Sequence, residues 1–307
     1  MPKNWVPASA GTSGIERDRA LTRTDVAPNV RRGMLLMLAG LALFSVLNGL
    51  VKFLAEAFPV NQIIFFRNSF ALVTLLAMTP GLGGFTALRP VNRRGLALQA
   101  VQFTAMLGFI FVAYRHMPLA DATAISFLQP LLVALLSAPF LGERVTRSGW
   151  IGVVLGFAGV MLMMRPTGSA SGFGVGMALI GTVVSALSLL QQRNLSRGAT
   201  SIAIAFWTLG GSALLIAPTL ALDWVAPTPA QWAWLIGNGL ASGACQYLTT
   251  RALYHAPVGA IAPLNYTKMV WAVLVGFVWF GEVPNFGMLL GSATVILAGL
   301  IVYREHR

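Results

Sequence analysis

Lys268 stands alone as a charge within the apolar run 258–280. An ammonium at that depth of a bilayer costs about 2.5–3.5 kcal/mol on insertion scales, so something must offset it. If the run is helical, Ile261, Asn265, Lys268 and Ala272 share one face, which sets an amide beside the ammonium. Ser126 and Gln129 hold matching places in the run 118–140 and extend the polar set. Aromatic Tyr266, Trp271 and Phe127 lie close in sequence. A fixed cation among hydrogen-bonding and aromatic groups suits a carboxylate on a small, partly apolar molecule. The blander account has Lys268 bonding backbone carbonyls to hold helices together.

Two further stripes, Gln99 with Gln102 and Asn238 with Ser242 and Gln246, recur at three- or four-residue steps. In lipid such a stripe is glue between helices or the wall of a pathway. Recurrence in both parts of the chain favours the wall. Trp207, Trp271, Tyr266 and Tyr247 could stack on an aromatic cargo, though any single one is more often packing or an interfacial anchor. Arg67, the other embedded cation, is expected to tie helix ends or snorkel from a peripheral span. Glu143 and Glu282 fall at opposite membrane faces and so cannot form a catalytic pair. Each is expected to cap the helix that follows it. Glu56 and Asp121 sit at span ends, which leaves the pathway without a proton-relaying carboxylate and points to transport down a gradient.

Enzyme chemistry finds no foothold: the spans hold no G-x-S-x-G, no H-E-x-x-H and almost no carboxylates. The phosphate loop of an ATP-driven pump, G-x-x-x-x-G-K-[ST], does not occur. Cys245 is the single cysteine, which rules out a multi-cysteine metal site, and no cofactor is expected. Rings of like charge that would mark an ion pore are missing as well.

The elements that carry these residues follow from composition. Of 307 residues 56% are hydrophobic and 10% charged, and mean hydropathy is +0.74. Soluble domains hold about 25% charged residues, so lipid must solvate much of this chain. Apolar runs fall at 34–54, 61–79, 95–114, 118–140, 148–164, 174–192, 201–222, 231–250, 258–280 and 285–303. They are long and unalternating, which predicts ten transmembrane helices in an all-α membrane protein. Residues 1–32 are polar and read as a disordered cytoplasmic tail. The net charge of +12 does not signal nucleic acid, because the cations lie in loops and tails. With the N-terminus inside, sixteen of the 21 Lys and Arg fall on the cytoplasmic side and three outside, which predicts that both termini are cytoplasmic.

Sliding the chain on itself by 139 residues sets His116-Met117-Pro118 on His255-Ala256-Pro257 and Leu141-Gly142-Glu143 on Phe280-Gly281-Glu282. A shift of 141 sets Gly40 on Gly181 and Lys52 on Arg193. Each half then holds five spans, 33–165 and 166–307. An odd number makes the second half enter the membrane inverted, as in many secondary transporters.

The pattern from Leu141-Gly142-Glu143-Arg144-Val145-Thr146 to Ile151-Gly152, followed by Gly156 and Gly159, resembles the EamA-type repeat of the drug/metabolite transporter superfamily. Phe66-Arg67-Asn68-Ser69-Phe70-Ala71 and Phe280-Gly281-Glu282 resemble it too, although Val283-Pro284 replaces the basic loop in the second copy. The resemblance implies a ten-helix transporter with spans three, four, eight and nine around a central cavity. It is most similar to bacterial amino-acid exporters, which implies an inner-membrane location and a neutral or aromatic amino acid as cargo. Other metabolites, drugs, or a non-transporting scaffold are the alternatives, and no oligomeric state is implied.

Overall fold

The computed structural model describes residues 30–82, 84–141, 151, 154–159, 162, 171–196, 198–255, 264–265, 267–284 and 286–305. Among these the regular structure is entirely helical. The long helices are α1 (Val30–Ala57), α2 (Val60–Met78), α3 (Arg93–His116), α4 (Leu119–Ser126), α5 (Gln129–Leu141), α6 (Gly172–Leu195), α7 (Ser201–Ile216), α8 (Pro229–His255), α9 (Thr267–Phe280) and α10 (Phe286–Glu305). Among the described residues, five stretches are long and apolar enough to cross a membrane: α1, α2, α3, α6, and α7 with the 3-10 turn that follows it to Ala221. Of the expected spans, 148–164 lies largely outside the described residues.

The expected span 118–140 is broken in two. Pro130 has no N–H, and its ring clashes with the carbonyl four residues back, that of Ser126. The chain answers by tightening: Phe127 and Leu128 N–H donate to the carbonyls of Ala124 and Ile125, three residues back. The expected span 258–280 also differs, for α9 begins only at Thr267 and Asn265 belongs to a 3-10 turn ahead of it.

Local signals set several other boundaries. Asn92, Ser171 and Thr200 cap α3, α6 and α7 by accepting the N–H of Gly95, Gly174 and Ala203. The Gln62 side chain pairs with both backbone groups of Val225, through distances of 2.7 and 3.1 Å, and fastens the start of α2 to the segment before α8.

The most extensive helix contacts are α3 with α6 and α1 with α8, followed by α2 with α8, α3 with α7, and α2 with α7. Small residues permit the closest of them. A Cβ on Gly239 would meet Phe70 Cβ at 2.4 Å, and one on Gly243 would meet Thr74 Cβ at 2.5 Å, so this pair lets α2 lie against α8. Large apolar side chains such as Val73, Leu214, Val270 and Phe277 stand exposed on the outer faces. A lipid solvent accounts for that, while buried polar groups such as Asn68, Gln99 and Ser212 sit between helices.

Candidate functional site

A cavity of about 360 Å³ opens within the bundle, walled by α1, α2, α3, α4, α6, α7, α8 and α9, with Gln129 at the start of α5. The wall is wider than the four spans implied by resemblance. Polar side chains arrive at helical steps: Ser45 and Asn48 from α1, Thr123 and Ser126 from α4, Thr182 and Ser185 from α6, and Ser242 and Gln246 from α8. Phe44, Phe103, Met106 and Phe111 supply the apolar part. Cavities of about 300–1,000 Å³ hold small organic ligands, and this one is at the small end.

Of the residues singled out in the sequence, Lys268, Ser126, Gln129, Gln99, Ser242 and Gln246 line the cavity. Four expected residues are not in that set. Asn265 precedes the helix that carries Lys268 and is absent from the described lining, because an i, i+3 face exists only once the helix has begun. Gln102 and Trp271 are also absent from the lining, though both ride on helices that contribute to it. Tyr266 lies outside the described residues.

Arg67 corrects the sequence expectation more strongly. Its helix, α2, packs on α7, α8 and α3 and is not peripheral, and the Arg67 side chain lines the cavity. Its guanidinium lies 5.8 Å from the Phe111 ring centre, and the Lys268 ammonium lies 5.2 Å from that of Phe44. Such cation–π contacts contribute about 0.5–2 kcal/mol. That is less than the cost of a cation at membrane depth. Among the described residues neither cation has an ion-pair partner, and no carboxylate lines the cavity.

Hydrogen bonds hold the polar wall in place. Gln129 Nε2 donates to Ser185 Oγ at 2.7 Å, joining the start of α5 to α6. Gln99 Nε2 donates to Ser188 Oγ at 3.0 Å, and its buried carbonyl oxygen has no hydrogen-bond partner among the described residues. The buried hydroxyl of Thr208 also has none. Beside the cavity, Asn68 Nδ2 and Thr104 Oγ1 both donate to Ser212 Oγ, at 2.8 and 2.7 Å, which locks α2, α3 and α7 together. Some of the polar stripe is therefore glue. Asn238 donates to the Leu47 carbonyl at 3.4 Å, and Trp207 donates to the Leu88 carbonyl at 2.8 Å. The ring of Tyr247 faces the Arg251 guanidinium at 5.7 Å rather than the cavity.

A second charged cluster lies at one end of the bundle. Gly281 adopts φ +64° and ends α9, with its N–H on the Phe277 carbonyl at 3.0 Å. The turn lays the Glu282 side chain back over Gly276, where a Cβ would come within 2.6 Å of Glu282 Oε2. From there Glu282 pairs with Lys52 of α1 and accepts the N–H of Leu119 at 3.0 Å, while Lys52 also donates to the Met117 carbonyl at 3.0 Å. Glu282 therefore caps α4, not the helix that follows it, and Lys52 reaches it from within α1. Glu143 falls outside the described residues.

Comparison with known proteins agrees with this architecture. The EamA-like transporter family matches residues 31–165 and again 172–304. The pseudopaline exporter CntI of Pseudomonas aeruginosa is 29% identical over 286 residues, covering 91% of this chain and 98% of its own. The riboflavin transporter of Rhizobium johnstonii is 29% identical over 283 residues, with 88% and 90% covered. The S-adenosylmethionine uptake transporter of Rickettsia bellii is 26% identical over 264 residues, with 83% and 88% covered. A crystal structure 20% identical in sequence shares the fold at a TM-score of 0.65, over 89% of this chain and 96% of that one. With two family matches that together span most of its length, the chain belongs to the EamA-like transporter family, and it is a multi-pass membrane transporter of small metabolites rather than an enzyme.

Proposed function

We propose that this transporter exports small, carboxylate-bearing metabolites of the amino-acid type across a bacterial inner membrane by alternating access, without ATP hydrolysis. Neutral and aromatic amino acids are the simplest cargoes of this kind. The observation that carries the reading is Lys268: a cation with no anionic partner among the described residues, facing a cavity of metabolite size lined by Phe44, Phe103 and Phe111. A cargo carboxylate would supply the missing charge, and the rings would accept an apolar side chain. The relatives differ in cargo, but each is named for a small organic metabolite.

Alternating access needs two interchangeable halves, and the packing supports ten spans in two inverted repeats, 33–165 and 166–307. Under exchange of the halves, α3 on α6 becomes α8 on α1, the two most extensive contacts. At residue level a Cβ on Gly40 would meet Thr249 and Leu248, while one on Gly181 would meet Ile110 and Phe109. Those partners are themselves 139 residues apart, the same shift found in the sequence. Rocking of one half against the other about a shared cavity follows from such symmetry.

The test is saturable uptake of amino acids into proteoliposomes. Lys268→Met should lower it at least tenfold while the melting temperature stays within about 3 °C, since no ion pair is lost. A rival account, in which Lys268 only ties α9 to α1 through Phe44, rests on their 5.2 Å approach. A variant that melts early and retains uptake would favour that account.

A further inference from the structure

The cavity holds two cations, not one. Lys268 reaches it from α9 and Arg67 from α2, and no carboxylate stands among its described lining residues. Each rests against an aromatic ring, and neither has an ion pair among the described residues. A cargo with a single carboxylate answers only one of these charges. A buried cation left unmatched in a low-dielectric site is the costly outcome, so recognition should favour a molecule that meets both.

A third feature describes the middle of that molecule. The carbonyl oxygen of Gln99 is 3% exposed by residue, lines the same cavity and accepts no hydrogen bond. As placed, its amide Nε2 donates to Ser188 Oγ, and the carbonyl oxygen is the group turned to the cavity without a partner among the described residues. What remains is an acceptor awaiting an N–H. The Thr208 hydroxyl, 6% exposed and also without a hydrogen-bond partner among the described residues, lines the same cavity and can accept or donate there.

We infer that the cargo carries two acidic groups and an amine: a dicarboxylic amino acid or a compound built like one, with one carboxylate on Lys268, the other on Arg67 and the ammonium on Gln99. This rests on the reading of the cavity as the cargo site and changes only the charge of the cargo. Arg67 is then a specificity residue, because its planar fork can grip a carboxylate through two parallel N–H donors.

The experiment compares pairs of equal size that differ by one charge. Aspartate, glutamate and 2-aminoadipate are set against asparagine, glutamine and homoglutamine, with phenylalanine and leucine as neutral references. Each is measured for saturable uptake into proteoliposomes of the full chain. For at least one chain length the diacid should be preferred over its amide by tenfold or more. Arg67→Gln should bring that ratio towards one, and Arg67→Lys should keep part of it. Since an Arg67 variant could fold poorly, the wild-type protein in detergent is also melted with each compound, and the preferred diacid should raise the melting temperature more than its amide. Uptake of phenylalanine or of the amides equal to that of every diacid would overturn the dicarboxylate while leaving amino-acid export standing. Uptake of none of the compounds would remove both readings.

Discussion

Side chains facing the cavity were legible where the sequence offered contrast. Lys268 is the one charge in its run, and Gln99, Ser126, Gln129, Ser242 and Gln246 interrupt long apolar stretches, so all six could be picked out and all six line the cavity. Arg67 stood out equally but was assigned the wrong surroundings, because hydropathy finds a span without saying which neighbours it meets. Ser45, Asn48, Thr123, Thr182 and Thr208 were overlooked because a lone hydroxyl or amide in a span reads as ordinary helix glue. Gln99 offers a test at this scale. Gln99→Leu removes one acceptor of nearly the same volume and should weaken apparent affinity about tenfold, the equivalent of one hydrogen bond. Half-saturation concentrations from uptake curves check it, and an unchanged value would mean that the carbonyl meets no cargo.

Helix ends were harder to read than helices. Apolar length located α1, α2, α3, α6 and α7 to within a few residues, yet the break before α5 and the late start of α9 both depend on backbone hydrogen bonding. Pro130 was visible in the sequence, and its clash with the Ser126 carbonyl could have been foreseen. The clasp of Lys52, Glu282 and the Leu119 N–H could not, since it joins residues 163 and 230 positions apart. It ties α1 and α4 to the end of α9, with Gly276 and Gly281 making room and direction for the carboxylate. Glu282→Gln should lower stability by about 1.5–3 kcal/mol, the usual worth of hydrogen bonds to a charged group. Adding Lys52→Met should recover part of that loss, because an unpaired ammonium then disappears. Thermal melts of the two proteins in one detergent decide the matter, and a double variant no better than the single would show that the pair is not the source. Gly276→Ala should produce a similar loss that does not add to that of Glu282→Gln, since both displace the same carboxylate.

Across the whole molecule the proposed repeat rests on sequence echoes such as Gly40 and Gly181, which both stand at close helix contacts, while the expected orientation rests on loop charge alone. Single cysteines introduced at Gly168 and Ala199 test that orientation: an impermeant thiol reagent added from outside should label position 168 and spare position 199, and the reverse pattern would invert the topology. Arg67 and Lys268, without ion pairs among the described residues, also bear on the rhythm of the cycle. In the proposed alternating-access cycle, every reorientation closes the cavity off from water for an instant. With the proposed dicarboxylate aboard, that closure would bury each of the two cations beside a carboxylate. Without cargo it would bury two like charges together, and the barrier to resetting rises accordingly. The carrier should therefore run as a swap of one anion for another more readily than as a one-way drain. Efflux of labelled cargo from preloaded vesicles should quicken several-fold when unlabelled cargo is supplied outside. A flat rate, indifferent to what waits on the far side, would mean that the protein resets unloaded without difficulty.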